Sequence, residues 1–139
     1  MGLTYADITL TNSGDAYMEK EGVLPSDKVR MMEVKALVDS GAMTLIVNET
    51  LADQLGLKVE NRVSVALADG SLTKCDLVGP VTIRFKNRMT FCQALVIPGA
   101  DEVLLGVIPM EGMDVMIDPK TEQLILPPDR PYVACLKAK

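Results

Sequence analysis

Asp39-Ser40-Gly41 is the stretch of this sequence best suited to chemistry. A carboxylate can take or give a proton, a serine hydroxyl can hydrogen-bond locally or across to a partner, and glycine accepts backbone conformations that a Cβ resists. The apolar run Val34-Lys35-Ala36-Leu37-Val38 precedes it and Ala42-Met43-Thr44-Leu45-Ile46-Val47 follows, so the acid is delivered at a strand end. Asp, Ser and Gly are also the commonest turn formers, and alone the tripeptide reads as a plain turn. Its meaning depends on the elements that hold it.

Composition removes several other chemistries. The chain has no histidine, so neither a Cys/His nor a Ser/His nucleophile-base pair can be assembled, and the usual zinc ligand sets are missing. Cys75, Cys92 and Cys135 are widely spaced and odd in number, which predicts reduced thiols packed as small hydrophobes. With 14 basic and 19 acidic residues the net charge is −5, and no Lys/Arg cluster appears, which argues against nucleic acid as a partner. The first residues lack a basic region and a continuous apolar stretch, and no run approaches membrane-spanning length. The expectation is a soluble, cytoplasmic protein with no membrane partner.

The 139 residues, 48% of them hydrophobic, predict one globular domain over 1–139. With 4% aromatic residues and no Trp, its core must come from Val, Leu, Ile, Ala and the nine Met, including Met110, Met113 and Met116 as core or interface filler. Thr4 to Thr11 alternates as a strand with Thr4, Ala6, Ile8 and Leu10 on its apolar side. Residues 13–30 predict an inserted loop, and Met32 to Val38 a second strand that ends at Asp39. Asn48 to Leu57 reads as a short helix, with Asn48 as N-cap, Leu51 and Leu55 as its apolar stripe, and Gly56 as its close.

Strands follow. Val63, Val65 and Leu67 alternate, Asp69-Gly70 predicts a two-residue hairpin turn, and Leu72 to Val78 returns. Val81 to Phe85, a turn at Asn87-Arg88 and Phe91 to Ile97 continue a meander. Val103-Leu104-Leu105-Gly106 is a short buried run, Pro109 to Gly112 one helical turn, and Val115-Met116-Ile117 pairs with Leu124-Ile125-Leu126. The 127–139 tail has room for an edge strand at Tyr132 to Leu136, and Asp101, Glu102 and Asp114 read as solvated loop charges.

In this order the elements resemble the retropepsin-like aspartic proteases, in particular their small single-domain cellular members. Ala36-Leu37-Val38-Asp39-Ser40-Gly41-Ala42 is similar to that family's apolar strand and Asp-Thr/Ser-Gly-Ala loop. Leu104-Leu105-Gly106 is similar to its late apolar-apolar-Gly segment, and Leu55-Gly56-Leu57 to its helix end. The resemblance implies an all-β, closed acid-protease barrel with one or two short helices, acting as a homodimer. It implies a hydrolase, an aspartic endopeptidase without metal or organic cofactor, acting on a peptide or protein substrate.

Under that resemblance Asp39 is the catalytic residue, Ser40, Gly41 and Ala42 support its loop, and Leu104, Leu105 and Gly106 pack beside it. Ala68, Asp69, Gly70 and Ser71 form the flap over the substrate. Two carboxylates must share a proton around a water, and only one Asp-Ser-Gly occurs, so the second Asp39 comes from another copy. Paired carboxylates titrate in two separated steps, which implies activity on the acidic side. Two departures stand out: Ser40 replaces the commoner Thr, and the flap tip is acidic and poor in glycine. The alternative is a retropepsin-fold dimerisation or peptide-binding module with weak or absent proteolysis.

Overall fold

Alternating apolar residues in the first half of the chain build the sheet that holds the candidate site. The computed structural model describes residues 2–138, so the two ends of the expected 1–139 domain, Met1 and Lys139, lie outside the described residues. Strand β1 (Tyr5–Asn12) turns Ala6, Ile8 and Leu10 inward, and β2 (Met31–Val38) turns Ala36 and Val38 inward against them. The two pair antiparallel, from Tyr5 opposite Leu37 to Thr11 opposite Met31.

The expected loop over 13–30 is partly helical. Helix α1 (Ser13–Lys20) starts at Asn12, whose side chain accepts from the Asp15 backbone N–H, and a short 3-10 turn covers Ser26–Lys28. None of the α1 residues is buried, so the helix has no apolar stripe to announce it in the sequence. Asp15 ties the segment back through Arg30 at 2.8 Å, and the guanidinium holds the Asp15 carboxyl below its ordinary range.

After β3 (Leu45–Val47) comes α2 (Glu49–Gln54), with the caps expected: Asn48 accepts from the Leu51 N–H at 2.9 Å, and Gly56 sits at φ 64. Leu51 and Leu55 go into the core, where each buried leucine contributes about 2 kcal/mol. Strand β4 (Lys58–Ala66) pairs with the first half of β5 (Leu72–Phe85), which runs as one strand where two were expected. A register shift between Val78 and Val81 in its pairing with β6 (Arg88–Val96) absorbs the Gly79-Pro80 break. The turn joining them is Lys86-Asn87, with Lys86 at φ 53, one residue earlier than expected. Arg88 therefore opens β6 and is only 2% exposed.

Strand β7 (Val103–Leu105) leads into α3 (Val107–Met113), and β8 (Met116–Asp118) pairs with β9 (Gln123–Ile125) as a separate ribbon. Six strands close a ring in the order β1-β2-β7-β3-β6-β5, with β5 returning to β1 and β4 projecting from β5 as the outer arm of a hairpin. This is the expected all-β closed barrel, with three short helices among the described residues. Met110 and Met113 join its core, whereas Met116 is exposed.

The tail forms no strand among its described residues. Polar contacts pin it instead. Asn87 donates to the Pro131 carbonyl at 2.9 Å, Arg88 donates to the Arg130 carbonyl, and Arg130 pairs with Asp114 at 2.8 Å. Asp114, at the left-handed C-cap of α3, also accepts from the Cys135 N–H at 3.0 Å. It is therefore a clasp and not the solvated loop charge expected, and its partners, Arg130 first, lower its pKa to about 2. Glu102, expected as a solvated loop charge, is exposed and accepts from the Tyr5 hydroxyl at 2.5 Å. Of the thiols, Cys75 is buried and Cys92 half-buried as expected, but Cys135 is exposed.

Candidate functional site

The end of β2 delivers Asp39 because β7 is wedged between β2 and β3. Ala36, Leu37 and Val38 lie parallel to Val103, Leu104 and Leu105, while Ile46 of β3 faces Leu104 from the other side. The Asp39 N–H donates to the Leu105 carbonyl at 3.0 Å, which extends the ladder by one residue before the chain turns. The Ala42 N–H then closes the turn on the Asp39 carbonyl at 3.1 Å.

Inside the turn the Gly41 N–H donates to Asp39 Oδ1 at 2.8 Å. A backbone donor on a carboxylate fixes its rotamer. Gly41 does not occupy a positive-φ conformation. A Cβ there would lie 3.1 Å from Asp39 Oδ1, so the glycine provides room for the carboxylate and not an unusual backbone. Asp39 is half-buried and Ser40, beside it, is exposed.

Gly106 packs most tightly against this loop. A Cβ on it would meet the Ala42 carbonyl oxygen at 2.5 Å and would clash with the backbone of Thr44. The next residues clamp the loop from outside: the Val107 N–H donates to the Ala42 carbonyl and the Ile108 N–H to the Met43 carbonyl, each at 2.9 Å. Thr44 anchors its far end by donating from its hydroxyl to the Gln93 carbonyl at 2.7 Å. Burial raises the Cys92 thiol pKa behind it. Thus Asp39, Ser40, Gly41 and Ala42 are brought together with Leu104, Leu105 and Gly106.

A groove of about 400 Å³ opens between this loop and the β4–β5 hairpin. Gly41 and Ala42 form one wall, with Met43 and Ile46 beyond them, and Val63 and Val65 face them from β4. No charged side chain lines it. The tip residues Ala68, Asp69, Gly70 and Ser71 do not border it, so the part of the hairpin nearest the loop is Val63 to Ala66. The Val63/Val65 alternation that marked the strand was also the signal for that wall.

The hairpin tip is longer than the two-residue turn expected. Beyond the Ala66–Leu72 pair, the Leu67 N–H donates to the Ser71 carbonyl and the Gly70 N–H to the Leu67 carbonyl, each at 2.9 Å, which leaves Ala68, Asp69 and Gly70 as the loop, with Gly70 at φ 86. This is the three-residue loop with a left-handed glycine that twisted hairpins favour. Asp69 turns its carboxylate back on Ser71, accepting from the hydroxyl at 2.6 Å and from the N–H at 2.9 Å, and those bonds lower its pKa.

Among the described residues no three His, Cys, Asp or Glu side chains gather as a metal site, and no helix is long and apolar enough to cross a membrane. What the loop presents is a carboxylate fixed by the Gly41 N–H next to an exposed Ser40, while the apolar groove begins at Gly41 and is bordered by neither Asp39 nor Ser40. A family model described as aspartyl protease matches residues 28–108, from before β2 to the first turn of α3. No curated protein matches the chain.

Proposed function

The chain belongs to the aspartyl protease family, in its retropepsin-like type, and on that premise we propose that it is an aspartic endopeptidase whose site is completed by Asp39 from a second copy. One observation carries this reading: Asp39 stands on a loop locked by Gly106 and Gly41, and no second Asp-Ser-Gly occurs in the sequence. Hydrolysis of a peptide by carboxylates alone needs two of them, one ionised and one protonated. A single chain supplies half.

In the proposed reaction the ionised Asp39 takes a proton from water as that water attacks the scissile carbonyl. The protonated Asp39 of the other copy donates to the carbonyl oxygen. The tetrahedral gem-diol then collapses with cleavage of the C–N bond: the newly protonated Asp39 gives its proton to the leaving nitrogen and the ionised Asp39 of the other copy takes a proton from a gem-diol hydroxyl, restoring the shared-proton pair. Ser40 of each copy would bond to the partner's loop and hold the carboxylates in register, a positioning role. The β4–β5 hairpin would cover an extended peptide lying in the groove and supply backbone hydrogen bonds.

A specific observation favours the second reading, a peptide-binding module without turnover: the tip residues 68–71 stand apart from the groove, and Asp69 is engaged with Ser71. Cleavage of a peptide library from acidic to neutral pH, with a statine-type inhibitor and with Asp39→Asn, separates the two. Inhibitable cleavage that Asp39→Asn abolishes supports the enzyme. Statine-type binding without cleavage by either protein supports the module.

A further inference from the structure

One residue bonds to both halves of the candidate site. Gln93, on β6, accepts on its main-chain carbonyl from the Thr44 hydroxyl at 2.7 Å, the bond that anchors the far end of the Asp39 loop. Its side-chain amide donates to Glu60 Oε1 on β4 at 3.0 Å. The strand order β6-β5-β4 puts a whole strand between the two residues, so this second bond crosses over β5.

The local structure makes the crossing possible. The pairing of β4 with β5 shifts register between Val59 and Asn61, which leaves Glu60 as the extra residue of a bulge. A bulge re-aims a side chain that a regular ladder would hold in step. On β5 the crossing meets Gly79, where a Cβ would lie 3.3 Å from both Glu60 Oε1 and the Gln93 Cα. Glycine leaves that path open. Leu95 stands two residues beyond Gln93 on the same face of β6 and lines the groove, as Val63 and Val65 do beyond Glu60 on β4.

We infer that Glu60 and Gln93 are positioning residues, a tether that sets the β4–β5 hairpin at its working distance from the Asp39 loop. The inference rests on the proposed peptide-cleaving groove and says what holds its outer wall in place. Among the described strands β4 pairs with β5 alone, so the hairpin leans out from the barrel on one neighbour. A direct bond from β4 to β6 fixes its angle. The carboxylate acceptor strengthens that bond, while the exposure of both residues lets water compete for it. Because Thr44 is held by the main chain of Gln93, loss of the Gln93 side chain frees the hairpin and leaves the loop anchored. Peptide binding should weaken while the chemical step is spared.

Steady-state cleavage by the full chain, by Glu60→Ala, Gln93→Ala, their double variant, Glu60→Gln and Arg62→Ala tests the tether, with circular dichroism to verify each fold. Arg62 pairs with Asp76 inside the same hairpin at 3.3 Å and does not line the groove, so it serves as the control. The expected result is a KM raised about 3- to 10-fold in each single alanine variant, as for one exposed charge-assisted bond, with kcat nearly unchanged. The double variant should be no worse than either single, because both remove the same bond. Glu60→Gln, whose amide oxygen accepts from the same donor, and Arg62→Ala should match the parent. An unchanged KM in both single variants, additive effects in the double, a fall in kcat alone, or equal damage from Arg62→Ala overturns the tether. If the parent cleaves nothing, the endopeptidase reading fails and hydrogen exchange at residues 59–63 decides the tether. Faster exchange in Glu60→Ala and Gln93→Ala than in the parent and Arg62→Ala supports it, and equal rates overturn it.

Discussion

Gly106 lies so close to Ala42 that a Cβ on it would sit 2.5 Å from the Ala42 carbonyl oxygen. That contact couples β7 to the loop carrying Asp39, and it sets the tolerance of the whole site. Gly106→Ala must push the loop outward or shift β7 out of register with β2. The expected cost is about 1 to 3 kcal/mol, the range for overpacking a tight contact, read as a lower denaturant midpoint. Any peptide cleavage should fall further than stability does, because the displaced backbone holds Asp39.

Asn12 joins the inserted helix to the barrel from two directions. Its side-chain oxygen accepts from the Asp15 N–H at 3.0 Å, and its amide donates to the Leu55 carbonyl at 2.8 Å. Because Asn12 is 8% exposed, Asn12→Ala removes an N-cap and leaves a buried carbonyl unpaired. Equilibrium unfolding should show a loss of about 2 kcal/mol. A loss within experimental error would mean that α1 is held by other contacts.

Acid should release the tail through Asp114. Its folded pKa of about 2 lies below the ordinary 3.8, with the Arg130 hydrogen bonds as the largest cause. A depressed carboxylate contributes stability above its unfolded value and loses it as pH falls through its folded value. Protection of residues 130–136 from hydrogen exchange should therefore hold at neutral pH and fade between about 4 and about 2. Asp114→Asn should lose that protection at neutral pH while the barrel strands keep theirs.

The barrel was legible wherever one face of a strand is buried. Ala6, Ile8 and Leu10 alternate because β1 has a core on one side only, and Asn48 with Gly56 marks both ends of α2 by local capping. What stayed hidden depends on distant partners. Helix α1 has no buried face, and Ser13-Gly14-Asp15 reads as a turn until Asn12 and Arg30 engage Asp15. The clasp at Asp114 joins residues 16 and 21 positions apart in the chain, beyond any local pattern.

The candidate site divides the same way. Asp39, Ser40 and Gly41 were visible as types in order, but the lock from Gly106 is a contact between segments that only the insertion of β7 brings together. The flap residues 68–71 were located as a hairpin tip, yet the groove wall is Val63 to Ala66, and the tip's Asp69 is engaged with its own Ser71. Hairpin spacing indicates where a turn falls and leaves its reach over a groove undetermined.

The most direct test of the two-copy site is peptide cleavage per chain as a function of protein concentration, for the parent and for Asp39→Asn, alongside sedimentation over the same range. The account predicts that specific activity rises with the dimer fraction and that Asp39→Asn is inactive at every concentration while keeping its fold and its dimer. Equal cleavage by the two proteins, or full specific activity where the parent sediments as a monomer, would contradict it.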